Sequence, residues 1–156
     1  MNDYRESHLN KGDDYDEIFN VRLRESLLWQ QEQTVLTREV QRRFPNEKPN
    51  HLDFACGTGR ILRHLRPHVG QSVGLDISPA MLAVAARKAQ ASETILGDLT
   101  REPLLDGRKF DLITAFRFFP NAQPELRKEA IKALRPLLSD RGTLIFNNHM
   151  NDSSSL

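Results

Sequence analysis

The sequence predicts an α/β fold in which helices cover both faces of a doubly wound parallel sheet. Three observations support this prediction. Strand-like and helix-like segments alternate after residue 49, which is the pattern of parallel strands joined by right-handed crossovers. A short apolar segment ends in a glycine turn at 57–59. A later segment, FDLITAF at 110–116, is apolar almost throughout, as is typical of a strand buried on both faces.

The composition indicates one compact globular domain. The chain has 156 residues, of which 38% are hydrophobic and 28% charged, and its formal net charge of +1 gives no electrostatic attraction to nucleic acid. The polar amino terminus does not resemble a signal peptide, and no apolar run reaches the roughly 18 residues of a membrane span. With a single cysteine, Cys56, no internal disulfide can form. We therefore expect a cytoplasmic protein without a nucleic-acid or membrane partner.

The region before the alternation is predicted to be a helical cap over residues 1–48, while residues 49–156 carry the sheet. From 15 to 44, apolar residues recur at steps of three and four, which indicates one or two helices. Pro45 and Pro49 close this region.

The elements of the second region follow from apolar runs and helix signals. Ser78 suits a helix N-cap and Pro79 the first helical position. Residues 99–109 show no clear helix and are expected to be a loop between the third and fourth strands. The predicted strands are 50–55, 71–77, 93–98, 110–116 and 142–150, and the predicted helices are 59–69, 78–91 and 123–139.

Acidic residues lie at the ends of three predicted strands. Asp53 precedes the turn Gly57-Thr-Gly59, Asp76 ends the second strand, and Asp98 ends the third. In doubly wound sheets the ligand lies at the carboxyl ends of the strands, where strand order reverses. The glycines would let the backbone approach a ligand, and a carboxylate such as that of Asp76 can bind both ribose hydroxyls. A plain tight turn and solvated charges are the alternatives for each feature alone.

Two nucleotide sites are disfavoured by the same residues. A dinucleotide site needs a third glycine at position 62, where this chain has Leu62, and the Gly-Lys-Ser/Thr of a phosphate loop is missing. Asp53 would repel a pyrophosphate and attract a cation. A nicotinamide oxidoreductase is therefore disfavoured. The pattern favours a nucleoside ligand that has a ribose and a positive centre.

The chain resembles the class I S-adenosylmethionine-dependent methyltransferases over about residues 50–150. The resemblance rests on Asp53-Phe-Ala55-Cys-Gly57-Thr-Gly59, on VGLDISPAML at 73–82, and on Gly97-Asp98-Leu99. Ala55 departs from the glycine that the family most often has there. The resemblance implies a Rossmann-like sheet in the order 3-2-1-4-5, an N-terminal helical lid, S-adenosylmethionine as cofactor and S-adenosylhomocysteine as product.

The resemblance also implies roles for individual residues. Asp53 would bind the cofactor's ammonium directly or through water, and Asp76 its ribose hydroxyls. Asp98 would accept a hydrogen bond from the adenine amino group. The remaining cofactor contacts would be Gly57 and Gly59 with the backbone of Ala55 and Cys56 at the methionine part, Ile77 and Met81 on the adenine, Gly97 and the Leu99 N–H beside it, and Ala115 near the methionine end.

Three further residues are candidates with equally simple structural explanations. His149, at the end of the fifth predicted strand, is the best candidate for a general base, or else an exposed histidine. Arg117 would hold an anionic substrate or form a surface ion pair. Tyr15 would cover the cofactor and bond its carboxylate, or pack in a helical core. The other histidines, His8, His51, His64 and His68, show no pairing that indicates a metal site or a catalytic dyad.

The sequence after the fourth strand bears on the methyl acceptor and on the edge of the sheet. After the fourth strand, Arg117-Phe-Phe-Pro120 lacks the Asn/Asp-Pro-Pro-aromatic motif of enzymes that methylate amino groups of bases or glutamine, which favours a small-molecule acceptor. The family's final antiparallel hairpin is missing, so the fifth strand is expected to be an exposed edge that a homodimer would cover. The alternative to a methyltransferase is a non-catalytic S-adenosylmethionine-binding module or a truncated fragment.

Overall fold

The computed structural model describes residues 23–89 and 93–148. In this part of the chain, five strands alternate with helices after a long first helix. The strands are β1 His51–Phe54, β2 Ser72–Asp76, β3 Glu93–Leu96, β4 Phe110–Ala115 and β5 Leu138–Phe146. The helices are α1 Leu23–Arg43, α2 Arg60–Leu65, α3 Pro79–Ala89 and α4 Pro124–Leu134, the last followed by a 3-10 turn at Arg135–Leu137.

All strand pairs in the sheet are parallel, in the order β3-β2-β1-β4-β5. This confirms the predicted topology. The chain moves outward from β1 to β2 and β3, then returns to the other side of β1 as β4. The strand order therefore reverses between β1 and β4, and their carboxyl ends flank the position where such sheets hold ligands.

The sheet has an apolar core on each face. On one face, Leu52 and Phe54 of β1 pack with Ile113 of β4 and with Leu126 and Leu134 of α4. On the other face, α1 and α2 pack over β4, and a smaller cluster joins α2 to α3. Helices therefore lie on both faces, as predicted. The division between a cap and a second unit at residue 48 stays a prediction.

Two predicted helices are too long. The helix expected at 59–69 ends at Leu65, because Pro67 lacks an amide N–H and cannot continue it. The helix expected at 123–139 ends at Leu134, and Pro136 lies in the 3-10 turn that follows. Of the helical region expected at 15–44, the described part is the single helix α1.

Strand β5 starts four residues earlier than predicted, at Leu138 rather than at 142. The polar segment Ser139-Asp-Arg-Gly142 has the composition of a turn, but it lies inside the strand as an irregularity. Phe110 pairs with Leu138 and Leu112 with Thr143, so β5 contains extra residues between these two pairs. A Cβ at Gly142 would lie 2.9 Å from the Phe110 carbonyl oxygen, so only glycine fits this close approach.

The other predicted elements are confirmed with shifts of one or two residues at their ends, and residues 99–109 form turns. Strand β5 is an edge of the described sheet, as expected. Its pairing with a second copy of the chain stays a prediction. Among the described residues, no helix has the length and apolar character needed to cross a bilayer.

Candidate functional site

Two adjoining cavities open at the carboxyl ends of the strands. The wall of the first, called here the apolar cavity, includes Phe54, Leu75, Ile77, Gly97, Asp98, Leu99, Thr100, Phe118 and Leu126. The wall of the second, called the polar cavity, includes Asp53, Cys56, Gly57, Thr58, Arg60, Ile61, Met81, Phe116 and Arg117. Ala55 and Asp76 line both cavities. The cleft is therefore continuous across the ends of β1 and β2.

The turn after β1 places alternate residues in the left-handed backbone region. Ala55, Gly57 and Gly59 have φ values of 55°, 54° and 80°. The Cys56 N–H donates to the Leu75 carbonyl oxygen at 3.0 Å, which ties the turn to β2. Glycine adopts this region without the steric cost that alanine carries, so Ala55 is held there by the surrounding turn.

The two glycines of the turn have different environments. Gly57 lines the polar cavity, as expected for close approach to a ligand. Gly59 lines neither cavity, and a Cβ there would lie 3.1 Å from the Ala85 Cβ on α3. Gly59 therefore allows close packing of the turn against α3, and its contact with a ligand stays a prediction.

Leu62 and Gly74 allow helix α2 to pack closely on the sheet although the turn has no third glycine. Leu62 is fully buried, and a Cβ at Gly74 of β2 would lie 2.6 Å from its Cδ1. Helix α2 thus approaches the sheet closely because the glycine is on the strand rather than on the helix. The close packing of this helix on the sheet is thus present with Leu62, and without a glycine, at that position.

Asp76 is fixed at the junction of the two cavities. The Gly57 N–H donates to Oδ2 at 2.8 Å, and the Ser78 N–H donates to Oδ1 at 2.9 Å. A carboxylate presents two oxygens side by side, each with about two acceptor positions. The geometry suits binding of a vicinal diol.

Asp53 is a buried carboxyl group, 1% exposed, in the wall of the polar cavity. The Thr114 hydroxyl donates to its Oδ1 at 2.7 Å, whereas Oδ2 has no hydrogen-bond partner among the described residues. Burial raises the pKa of Asp53 to about 7, and the nearby charge of Asp76 acts in the same direction. A cation at this oxygen would favour the ionised form and supply the missing partner.

Asp98 and its neighbours close the far side of the apolar cavity. The Thr100 N–H and hydroxyl donate to Asp98 Oδ1 at 3.0 and 2.6 Å, and Arg101 lies 3.7 Å from Oδ2. Leu99 is buried between this turn and the core. The Phe54 and Phe118 rings meet edge to face with centroids 4.8 Å apart, which gives the cavity an aromatic wall.

Some of the residues predicted to contact the cofactor do not lie together in one cavity. Met81 lines the polar cavity, where its Sδ would lie 3.4 Å from a Cβ at Gly57, and not the apolar cavity that Ile77 lines. Ala115 is fully buried and lines neither cavity. Burial raises the pKa of the Cys56 thiol well above its usual value, so this sulfur stays protonated and is no nucleophile.

Arg117 belongs to a polar cluster that joins three parts of the chain. Its guanidinium lies 3.4 Å from the Glu32 carboxylate of α1, and its backbone N–H donates to Asn147 Oδ1 at 2.6 Å. The Asn147 side-chain amide also donates to Glu32 at 2.9 Å. The ion pair that the sequence left open for Arg117 is thus present. His149 and Tyr15 lie outside the described residues.

Arg60 is a residue of the polar cavity that the sequence did not indicate as part of the site. Arg60 directly follows Gly59, and its guanidinium lies 4.9 Å from the Trp29 ring centroid, so α1 reaches the cavity wall. Its position at the start of α2, beside the turn, is a signal that could have found it. Within 23–89 and 93–148, no group of histidine, cysteine, aspartate and glutamate side chains is arranged to hold a metal ion.

The cleft has the chemistry of a nucleoside site with a cationic end. A planar apolar group suits the first cavity, a diol suits Asp76, and a cation suits Asp53. Together with the strand order, this arrangement defines the class I methyltransferase type of α/β protein. The chain belongs to the methyltransferase-domain family, whose model matches residues 52–142.

Individual proteins are similar to this chain over part of its length. It is similar to a demethylmenaquinone methyltransferase of Thermotoga maritima (36% identical over 97 residues, 60% of this chain and 41% of the relative). It is also similar to a dTDP-4-amino-2,3,4,6-tetradeoxy-D-glucose N,N-dimethyltransferase of Saccharopolyspora spinosa (35% over 106 residues, 68% and 40%). A solved sugar N-methyltransferase from Streptoalloteichus superposes with a TM-score of 0.72 at 29% identity, covering 94% of this chain and 57% of that one. The chain thus matches about two fifths of the length of these two curated relatives.

Proposed function

We propose that the protein binds S-adenosylmethionine and transfers its methyl group to a small-molecule acceptor. The observation that carries this proposal is the placement of three carboxylates, those of Asp53, Asp76 and Asp98, around one continuous cleft at three neighbouring strand ends. A phosphate-bearing ligand would be repelled by these groups, whereas a nucleoside with an ammonium group would be attracted.

Each part of the cleft has a role in this proposal. Ile77 and Leu99 pack on the adenine in the apolar cavity, with Asp98 as acceptor for its amino group. Asp76 binds the ribose hydroxyls, and Asp53 binds the ammonium in the polar cavity. Arg60 adds a positive charge on the wall of this cavity, near the position of the methionine carboxylate.

The protein's catalytic task is to orient the reactants and exclude water. Bound S-adenosylmethionine supplies an activated methyl group on its sulfonium. For such a reaction, orientation of the acceptor can contribute roughly 7–11 kcal/mol of the lowering of the barrier. The cluster of Glu32, Arg117 and Asn147 holds α1 against the polar cavity, so these residues shape the side from which an acceptor enters.

A small-molecule acceptor is supported by two observations. The two curated relatives named above are named for methylation of demethylmenaquinone and of a dTDP-linked amino sugar. The chain's net charge of +1 gives no overall electrostatic attraction to nucleic acid. A cytoplasmic location is part of the same proposal, because the free and buried Cys56 suits a reducing compartment.

Isothermal titration calorimetry with S-adenosylmethionine, S-adenosylhomocysteine and NAD, run in parallel, tests the proposal. We expect binding of the first two and none of NAD. An Asp76→Asn variant should lose affinity, while Asp140→Asn, a matched change at an exposed carboxylate remote from the cleft, should not. Binding of NAD alone would overturn the proposal. Transfer of a radiolabelled methyl group to a panel of amino and hydroxyl compounds then tests catalysis, and binding without any transfer would restrict the function to binding.

A further inference from the structure

A row of hydrogen-bonded polar side chains crosses the middle of the sheet beneath the polar cavity. His51 Nδ1 lies 3.0 Å from the Ser72 hydroxyl, and His51 Nε2 lies 2.8 Å from the Thr114 hydroxyl. The Thr114 hydroxyl in turn donates to Asp53 Oδ1 at 2.7 Å. The row therefore runs from β2 through β1 and β4 and ends at the carboxyl group in the cavity wall.

The strand register explains why these four side chains meet. His51 and Asp53 are two residues apart on β1, so both point to the same face of the sheet. Ser72 is paired with His51, and Thr114 is paired with Asp53. His51 and Thr114 are both 0% exposed. Buried polar groups lower the stability of the folded protein unless each of them is hydrogen-bonded.

The direction of the hydrogen bonds follows from the ends of the row. Because the Thr114 hydroxyl donates to Asp53, its oxygen must accept from the histidine, so His51 carries its proton on Nε2. Nδ1 then accepts from the Ser72 hydroxyl. Burial lowers the pKa of His51 to about 3, so the ring is neutral and offers a single N–H. Every donor in the row therefore points towards the Asp53 carboxylate.

We propose that His51 and Thr114 are positioning residues that hold Asp53 Oδ1 on the sheet side and leave Oδ2 as the acceptor for the ammonium group of the ligand. This inference rests on the proposed function. Oδ1 is satisfied by the row, and Oδ2 is the oxygen that has no partner among the described residues. Without the row, the carboxyl group could turn and direct either oxygen, or a proton, towards the cavity.

The other charged and titratable groups around Asp53 act on its ionisation and are constant in the test below. Asp76 of β2 raises the pKa of Asp53, and Arg60 of α2 lowers it. Arg117, after β4, lines the same cavity. The Cys56 thiol in the turn stays protonated.

Two ligands separate this role from a purely structural one. S-Adenosylhomocysteine has the ammonium group, whereas 5′-methylthioadenosine has the same adenosine and no amino acid part. The variants are Thr114→Val and His51→Met, which interrupt the row, and Thr114→Ser and His51→Gln, which keep a donor at the same place. Affinities are measured calorimetrically between pH 6 and 8.5, with circular dichroism to establish that each variant is folded.

We expect the wild type to bind S-adenosylhomocysteine more tightly as pH rises through about 7, the pKa of Asp53, and to bind methylthioadenosine with a flat profile. Thr114→Val and His51→Met should lower the affinity for S-adenosylhomocysteine by about tenfold at pH 7. They should also move the inflection of the pH profile of binding to higher pH, because the ionised Asp53 carboxylate loses a hydrogen bond that stabilises it. The affinity for methylthioadenosine should not change. Thr114→Ser and His51→Gln should have the same pH profile of S-adenosylhomocysteine binding as the wild type.

Equal weakening of both ligands, or an unmoved pH profile, would overturn the inference while leaving the proposed function intact. Failure of the wild type to bind either ligand would overturn both. A ligand-free readout keeps the two apart: the carboxyl ¹³C resonance of Asp53 should titrate at higher pH in Thr114→Val than in the wild type. An identical titration in the two proteins would contradict the role of the row.

Discussion

The two buried titratable groups of the row make opposite contributions to the pH dependence of stability. The pKa of Asp53 is raised from 3.8 to about 7 in the folded protein, and that of His51 is lowered from 6.5 to about 3. Between about pH 4 and 6.5, the folded state therefore holds a proton on Asp53 that the unfolded chain releases. Over the same range, the unfolded chain holds a proton on His51 that the folded state excludes.

These contributions cancel in the wild type, because the folded and unfolded states then bind the same number of protons at these two sites. The free energy of unfolding changes with pH by about 1.4 kcal/mol per unit for each full proton by which the states differ. In Asp53→Asn only the His51 contribution remains. The stability of this variant, relative to the wild type, should therefore rise with pH by about 1 kcal/mol per unit between pH 4 and 6.5. His51→Gln leaves Asp53, so its relative stability should fall with pH by about the same amount.

Urea denaturation followed by circular dichroism, at half-unit pH steps on the ligand-free protein, measures these slopes. Thr143→Val, a change of similar size on β5 outside the row, serves as a control that should run parallel to the wild type. Slopes of Asp53→Asn and His51→Gln that both parallel the wild type would refute the assignment of shifted protonation to these two groups. Slopes with the opposite signs would refute the direction of the shifts.

Other predictions follow from the turn and the cleft. Asp76→Ala should weaken S-adenosylhomocysteine binding by about 1.5–3 kcal/mol, measured by calorimetry, since hydrogen bonds to a charged group are lost; an unchanged affinity in a folded variant would remove Asp76 from the site. Ala55→Gly should stabilise the protein by up to about 1 kcal/mol in urea denaturation, because φ is 55° there; a loss of stability would contradict the strain. Gly59→Ala should lower the thermal midpoint, because its Cβ would lie 3.1 Å from Ala85, and a variant as stable as the wild type would contradict this close packing.

The fold and the positions of the three acidic residues could be predicted from sequence because their signals are local. Apolar runs end at glycine or proline, and the topology of a parallel sheet brings all the carboxyl ends of its strands to one edge. Once the strands were recognised, Asp53, Asp76 and Asp98 had to lie near one another. The structure places all three in the walls of the two adjoining cavities.

The rest depends on contacts between distant parts of the chain. The role of Gly59 is set by Ala85 on another helix, and the early start of β5 is set by its pairing with Phe110. His51 looks like an ordinary strand residue in the sequence, and its partner Thr114 is 63 positions away. Only the strand register shows that the two meet beneath the cavity. A polar side chain at a strand position that should be apolar is the one local sign of such a row.

The central claim is that the cleft binds a nucleoside whose cationic end lies at Asp53. A crystal structure of the protein with S-adenosylhomocysteine tests it most directly. We expect the adenine in the apolar cavity beside Leu99, the ribose hydroxyls on Asp76, and the amino group on the side of Asp53 Oδ2. Density for the ligand elsewhere, or in this cleft with its amino acid part turned away from Asp53, would contradict the claim.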